Sequence, residues 1–339
     1  MQARARSASV RHVEAQKAKS RAVWLWALVP AFGLFELGLH VWQVQRALTS
    51  EDWDRAVAEL RTHIAEADGI VVAPDWAEPV ARRALGSLAT EERMAVADYT
   101  RYKTVWELSV DDATVLPSDW LKVPALVVTP TARRIHVRQR TNPTHNPVVT
   151  DLLTLASRGS DSDLTVTRGT IGAETPCVWH RGVARVEADH EAWGPARGAH
   201  YAECTDGTKL SVQVVPDHDW RPRRCFLVPT TGAGSRTRLV FHNVVFSGAV
   251  WMHTGLHGYS EDRQNHGLDV TTWVGLHVLN DANEQAEWPV GSDTHRDGEG
   301  WKRFEIEDLG IAWGTIGDLL VDISSDASGR LYCFEGSTR

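Results

Sequence analysis

Apolar residues recur along this chain in three rhythms, and each predicts a different kind of element. From 22 to 44 they run almost without a break, AVWLWALVPAFGLFELGLHVWQV. One helix of that length crosses a hydrocarbon core about 30 Å thick. Trp24, Trp26 and Trp42 stand where aromatic belts form at the two interfaces. The second rhythm is helical. Trp53, Val57, Leu60 and Ile64 recur on one face, with Thr49 or Ser50 as the cap and Glu51, Asp52 and Asp54 in the first turn. Asp68-Gly69 stops that helix, and Ile70-Val71-Val72-Ala73 reads as a buried strand. Pro79 opens a second helix running to about Leu88, and Thr104–Leu108 is a second strand. Helix, strand, helix, strand predicts a small α/β layer with parallel pairing over 45–130.

The third rhythm has a period of two. Ile135 and Val137 alternate with Arg133, Arg134, Arg138 and Arg140 in a connecting region, 131–175. These arginines either lie on a solvated strand face or grip an anionic headgroup. Beyond 176, β-like runs recur at Lys209–Val215, Arg224–Val228, Arg238–Phe246, Val270–Val278, Trp301–Ile306, Leu319–Ser324 and Arg330–Phe334. No helical pattern intervenes, so 176–339 is expected to form an antiparallel, jelly-roll-like β-sandwich.

Charge orients the apolar segment. Arg4, Arg6, Arg11, Lys17, Lys19 and Arg21 precede it against the single acid Glu14, and Glu51, Asp52 and Asp54 follow. The positive-inside rule places the basic tail, 1–21, in the cytoplasm and everything after about residue 46 outside. The expectation is a single-pass protein of the cytoplasmic membrane with a periplasmic or otherwise extracytoplasmic ectodomain. A cleaved signal peptide is the rival reading, but Gln45-Arg46-Ala47-Leu48 offers no small-x-small cleavage site. Glu36 and His40, four apart, share one helix face. That face either meets a polar site on a multi-spanning membrane partner or snorkels toward water.

Composition adds three constraints. The 339 residues, 42% hydrophobic and 24% charged, suit a globular chain of two ordinary domains. The formal net charge of -8 argues against a nucleic-acid partner. Cys177, Cys204, Cys225 and Cys333 all lie in the second half without a C-x-x-C pair, so two disulfides are the natural reading outside the cytoplasm. Neighbour pairing, Cys177–Cys204 and Cys225–Cys333, is preferred among the three connectivities.

Candidate chemistry is sparse. No G-x-S-x-G, H-E-x-x-H or Walker A sequence occurs, which leaves catalysis without a spelled-out site. The densest polar cluster holds His253, His257, His266, His277 and His295 among Asp262, Asp269, Asp293 and Asp297. With His253 and His257 on a Gly-rich loop, it could ligate zinc for a hydrolase. Asp293, Asp297 and Glu299 form a candidate calcium site, with an Asp297-Gly298 hairpin turn as the alternative. Calcium is thus the candidate cofactor. The 15 tryptophans suggest sugar stacking as well as core. Trp251, Trp273 and Trp301 in the sandwich are the candidate glycan platform. Asp75 and Trp76, beyond the carboxyl end of the first strand, are a second one.

Several stretches resemble a known family. Glu51-Asp52-Trp53-Asp54-Arg55-Ala56, Asp68-Gly69-Ile70-Val71-Val72-Ala73-Pro74-Asp75-Trp76 and Tyr102-Lys103-Thr104-Val105-Trp106-Glu107-Leu108-Ser109 resemble the extracytoplasmic segment of dolichyl-phosphate-mannose-type membrane glycosyltransferases. Trp220-Arg221-Pro222-Arg223-Arg224-Cys225 and His295-Arg296-Asp297-Gly298-Glu299-Gly300-Trp301-Lys302 are similar to bacterial ectodomains attached to such transferases. Members carry many membrane helices and catalytic acids on an extracytoplasmic loop, and this chain has neither. The resemblance therefore implies an accessory ectodomain that binds glycan or assists a glycan-assembly membrane complex without catalysis. A partner-binding subunit with no sugar affinity is the alternative, and a metal-dependent hydrolase a third.

Overall fold

The computed structural model describes residues 28–42, 47–128, 134–181, 200–217, 221–257, 268–279 and 285–339. The chain divides into two compact units, 1–53 and 54–339. In the first, residues 28–42 form helix α1, every residue of which is exposed, Glu36 and His40 among them. Among the described residues no helix is long and apolar enough to cross a membrane. Residues 22–27 and 43–44 of the expected span lie outside them. Helix α2, Ser50–Arg61, begins in this unit and continues into the next. Its cap is Thr49: the Thr49 amide donates to Asp52 Oδ2 at 3.0 Å and the Asp52 amide donates back to Thr49 Oγ1 at 3.3 Å.

The second unit opens with the α/β layer. Strand β1, Gly69–Ala73, is buried throughout and pairs in parallel with β2, Thr104–Val110. Helix α3, Glu78–Leu85, lies between them in sequence, with a proline in its first turn and Gly86 at positive φ as its stop. Strands β3, Leu126–Val128, and β4, Ile135–Thr141, complete a sheet of order β1-β2-β4-β3. Both join it antiparallel, so the sheet is mixed where parallel pairing was expected. Part of the connecting region thus belongs to the layer. Arg138 and Arg140 are neither solvated nor free: Arg140 Nε donates to the fully buried Glu107 at 2.7 Å, and Arg138 donates to Asp112 at 2.7 Å and Ser109 at 3.0 Å, whereas the more exposed Arg134 donates to Asp111 at 2.8 Å. A carboxylate buried on the central strand requires such partners. Arg133 lies outside the described residues.

The rest of the connecting region belongs to the sandwich. It supplies β5, Thr150–Asp151, helix α4, Leu152–Ser157, β6, Leu164–Thr170, and β7, Thr175–Pro176. Then follow β8, Val178–His180, β9, Tyr201–Glu203, β10, Lys209–Pro216, and β11, Pro222–Thr231. Next come β12, Ser235–Val245, β13, Ala249–Leu256, β14, Val270–Leu279, and β15, Gln285–His295. The last are β16, Lys302–Glu307, β17, Ile316–Ser325, and β18, Ser328–Thr338. Two antiparallel sheets result. One has order β16-β13-β18-β11-β10-β9-β8 with β5 beside β18, and the other β15-β14-β17-β12-β6-β7. From β11 to β14 the chain changes sheet at every connection, and again from β15 to β18.

The sheets share one core. Phe226, Met252 and Phe334 from the first meet Phe241, Leu276 and Val321 from the second. Phe241 stands edge-on to Phe334 with ring centroids 6.5 Å apart. All seven expected strands are present. The Gly-rich histidine loop instead lies largely on a strand, β13, and one of the three calcium candidates, Asp293, lies on another, β15.

The layer is joined to the sandwich by charge. Arg339 donates to Asp98 at 2.8 Å, both side chains almost wholly buried, and the Arg224 amide donates to the Ala95 carbonyl at 2.6 Å. Arg101 pairs with Asp151, and Arg221 donates to Asp75 at 2.5 Å.

Both disulfides form with the expected pairing, Cys177–Cys204 and Cys225–Cys333. The second joins neighbouring strands β11 and β18 on the outer side of their sheet, where it packs with Val215 and Leu227 beneath Trp301. The two bonds close loops of 27 and 108 residues. In the chain-entropy model they contribute about 3–4 and 4–5 kcal/mol. Urea unfolding of the Cys225→Ala/Cys333→Ala variant is therefore expected to show a loss about 1 kcal/mol larger than that of Cys177→Ala/Cys204→Ala. Equal losses, or the reverse order, would show that loop length does not set the difference.

Candidate functional site

The sequence candidates do not converge on one place. Asp75 and Trp76 sit on a short helical turn, Asp75–Ala77, directly after β1. Trp76 is 64% exposed, but Asp75 is engaged by Arg221 of the sandwich. On β13, Trp251 is clamped between two guanidinium groups, Arg303 at 4.7 Å and Arg339 at 5.1 Å from the ring centre. A sugar stacking on this ring would have to displace a guanidinium group. Trp301 lies over Gly255, where a Cβ would come within 2.1 Å of its ring, and it roofs the Cys225–Cys333 cluster. It is a packing residue.

Trp273 differs. On β14, Val270, Val274 and Leu276 face the core, so Thr271, Trp273, Gly275 and His277 face outward. The indole lies along its own strand over Gly275, where a Cβ would meet it at 2.3 Å. Glycine two residues on is what lets the far edge of the ring reach along the strand, and the indole is half-buried there. Cross-strand register sets Trp273 in a row: Ser292, Trp273, Asp322, Arg238, Thr167. Every other member of that row is polar.

An ion network fills the rest of this face. Asp322 accepts from Arg238 Nε at 2.7 Å and from Arg236 Nη1 at 2.8 Å. Arg236 also donates to Glu174 at 2.6 Å, and Arg238 to Glu287 at 3.0 Å. The hydrogen bond with Asp322 holds the Arg238 guanidinium charged well above its usual range. Farther along the strands, Glu287 pairs with His277 at 3.5 Å. Asp318 pairs with His242 at 3.1 Å, and His242 meets Thr165 Oγ1 at 2.8 Å. None of Arg236, Arg238, Asp322, Asp318 or His242 was singled out as a site residue from sequence. The available signal was the alternation Arg236-x-Arg238-x-Val240-x-His242, read only as a strand, and the Trp273-x-Gly275 pair.

The metal candidates are corrected. Among the described residues no three histidine, cysteine, aspartate or glutamate side chains are placed to share an ion. The three calcium carboxylates are instead taken by the chain's own cations. Lys302 Nζ sits between Asp293 at 3.0 Å and Glu299 at 2.7 Å, and Asp297 pairs with Arg330. The Lys302 hydrogen bond holds Glu299 below the usual carboxylate range. The zinc candidates scatter. His253 pairs with Glu335 at 3.3 Å on the outer face of β13, His277 lies on the opposite sheet, and His257 and His295 are fully buried. His266 and Asp262 lie outside the described residues.

Comparison with known proteins assigns no family. No family model matches the chain, and no curated protein matches it. Solved structures give low-scoring likenesses. One is the CBM22-1-GH10 portion of a Clostridium thermocellum xylanase complexed with xylohexaose: 11% identity, TM-score 0.26, covering 38% of this chain and 24% of that one. Another is CBM28, a non-crystalline cellulose-specific carbohydrate-binding module: 10% identity, TM-score 0.27, covering 38% and 77%. A third is the CBM22-1 xylan-binding domain of Paenibacillus barcinonensis Xyn10C: 12% identity, TM-score 0.25, covering 38% and 80%. Likenesses of this size assign neither family nor ligand.

Two buried imidazoles make the fold acid-sensitive. Burial pushes His257 and His295 down to about 4, and neither ring nitrogen of His295 meets a hydrogen-bond partner among the described residues. Unfolded histidine titrates near 6.5, so below that pH the unfolded chain takes up protons that the folded chain refuses. Stability is then present above about pH 6.5 and is lost as pH falls toward 4, by up to about 3 kcal/mol per histidine. Thermal melts between pH 7.5 and 4 are expected to show this fall and to show it flattened in His257→Gln/His295→Gln. A double variant with an unchanged slope would assign the acid sensitivity elsewhere.

Proposed function

We propose that this chain is a membrane-anchored, non-catalytic glycan-binding protein whose binding surface is the outer face of the six-stranded sheet around Trp273. The single observation that carries the reading is the half-buried indole that reaches along its own strand over Gly275, on the outer face and within a polar cross-strand row. A pyranose presents C–H groups on one face and hydroxyls around its rim. A flat aromatic ring suits the first, and a surround of aspartate, glutamate, serine and threonine suits the second. The other tryptophans proposed from sequence are occupied by packing, by guanidinium groups or by position away from this row.

Anchoring is supported by the apolar run at 22–44, the basic residues before it and the exposed apolar side chains of 28–42. Two disulfides support an oxidising compartment, and so an ectodomain outside the cytoplasm. The likeness of the sequence to glycosyltransferase-associated ectodomains supports a place beside a glycan-assembly complex. The calcium-binding reading is dropped, because its carboxylates already hold Lys302 and Arg330.

The test is intrinsic tryptophan fluorescence of the full chain in detergent, titrated with a panel of envelope and plant oligosaccharides. A saturable change is expected with at least one of them. Trp273→Ala should weaken that binding at least about tenfold, whereas Trp251→Ala should leave it within about twofold. Silence across the panel, or equal loss from both variants, overturns the assignment.

A further inference from the structure

The charges on this face also select what class of glycan it takes, an inference that rests on the binding role just given. The six strands carry three arginines and no lysine: Arg168, Arg236 and Arg238. Arg168 turns inward between the sheets, donating to Thr237 Oγ1 at 2.8 Å and the Pro229 carbonyl at 2.6 Å, and to Asp206 at 2.8 Å. The two that face outward are each paired with two carboxylates. Arg236 spends Nε on Glu174 and Nη1 on Asp322. Arg238 spends Nε and Nη2 on Asp322 and closes on Glu287 with both terminal nitrogens, at 3.3 and 3.0 Å.

Four carboxylates, Glu174, Asp318, Asp322 and Glu287, therefore stand against two guanidinium groups. The imidazoles of His242 and His277 are each committed to one of those same acids. A sugar carboxylate, sulfate or phosphate arriving here finds no unpaired guanidinium and an excess of negative charge. The face of an indole is itself negative, which disfavours an anion stacked upon it. Hydroxyls meet the opposite situation, because each carboxylate keeps acceptor capacity beyond its arginine bonds.

We propose that the glycan bound at Trp273 is uncharged, and that uronic acid, sulfated and phosphorylated sugars are excluded by the Glu174–Arg236–Asp322–Arg238–Glu287 network. Asp322 is the keystone, since it alone touches both arginines. Removing its charge releases guanidinium donors beside Trp273 and should turn a face that rejects anions into one that accepts them.

The experiment titrates the full chain in detergent at low salt with neutral gluco-, xylo-, manno- and galacto-hexaoses and with hexagalacturonate. The wild type is expected to bind at least one neutral hexaose, and hexagalacturonate at least about tenfold more weakly. In Asp322→Asn the ratio of uronate to neutral affinity should rise about tenfold or more, and the gain should vanish at high salt. Should Asp322→Asn fail to fold, Glu287→Gln at the rim frees the outer side of Arg238 and should move the ratio the same way. Wild-type binding of hexagalacturonate as tight as that of the neutral hexaoses, weakened by Trp273→Ala, overturns the charge inference while leaving the glycan-binding role intact. A ratio unmoved in either folded variant overturns it too. Silence toward all five sugars removes the binding role itself.

Discussion

Strand alternation is the constraint on which the rest of this molecule depends. Each strand of the sandwich must place every second residue in the space between the sheets, and Phe226, Phe241, Met252, Leu276 and Phe334 fill that space. The residues between them have only the two outer faces to occupy. Burial of a large apolar side chain is worth about 1.5–3 kcal/mol, so a one-residue slip of any central strand would turn several such contacts out to water. The register is thus held by the core, and the positions of Trp273, Asp322 and Arg238 follow from it without any interaction of their own being strong.

The two outer faces meet different fates. On the eight-stranded sheet the chain covers itself. Trp301 roofs the Cys225–Cys333 bond, Trp251 is held by two arginines, and His253 and Glu335 are buried as a pair. The layer is tied to the same sheet through Arg339, whose partner Asp98 precedes β2. On the six-stranded sheet the charged groups pair within the face rather than with a covering element. Arginines bonded to carboxylates on neighbouring strands hold one another in fixed rotamers, which gives a polar surface less freedom than its composition suggests.

Sequence rhythm disclosed most of this architecture, because burial on one face writes a period directly into the chain. Seven strands between Lys209 and Phe334, the parallel pair β1 and β2 and both disulfides were legible. β3, the strands β5 to β9, and β13 and β15 escaped, the last two for a reason that shows in their residues. In β13, Met252-His253-Thr254-Gly255-Leu256 looks like a flexible loop, yet its glycine is there to admit Trp301. In β15, Asp293 and His295 look like turn ligands, yet Lys302 neutralises the one and the core encloses the other. The arginines of β4 were misread for a related reason. Their partner, Glu107, lies in a strand that otherwise reads as apolar, and pairing across a sheet leaves no local trace.

The same reasoning explains why an aromatic count could not locate the site. The four candidate indoles serve four distinct ends: exposed in a turn at Trp76, held by cations at Trp251, sealing a disulfide at Trp301, and half-buried along a strand on an outer face at Trp273. Nothing in the residue type separates them. What separates them is the neighbour one pleat away. Glycine at 255 lets the ring of Trp301 settle over the disulfide cluster, whereas glycine at 275 shares the strand of Trp273 and lets that ring run along it on the outer face. The first ring contributes packing. The second, among paired charges, is the surface on which the proposed glycan would stack.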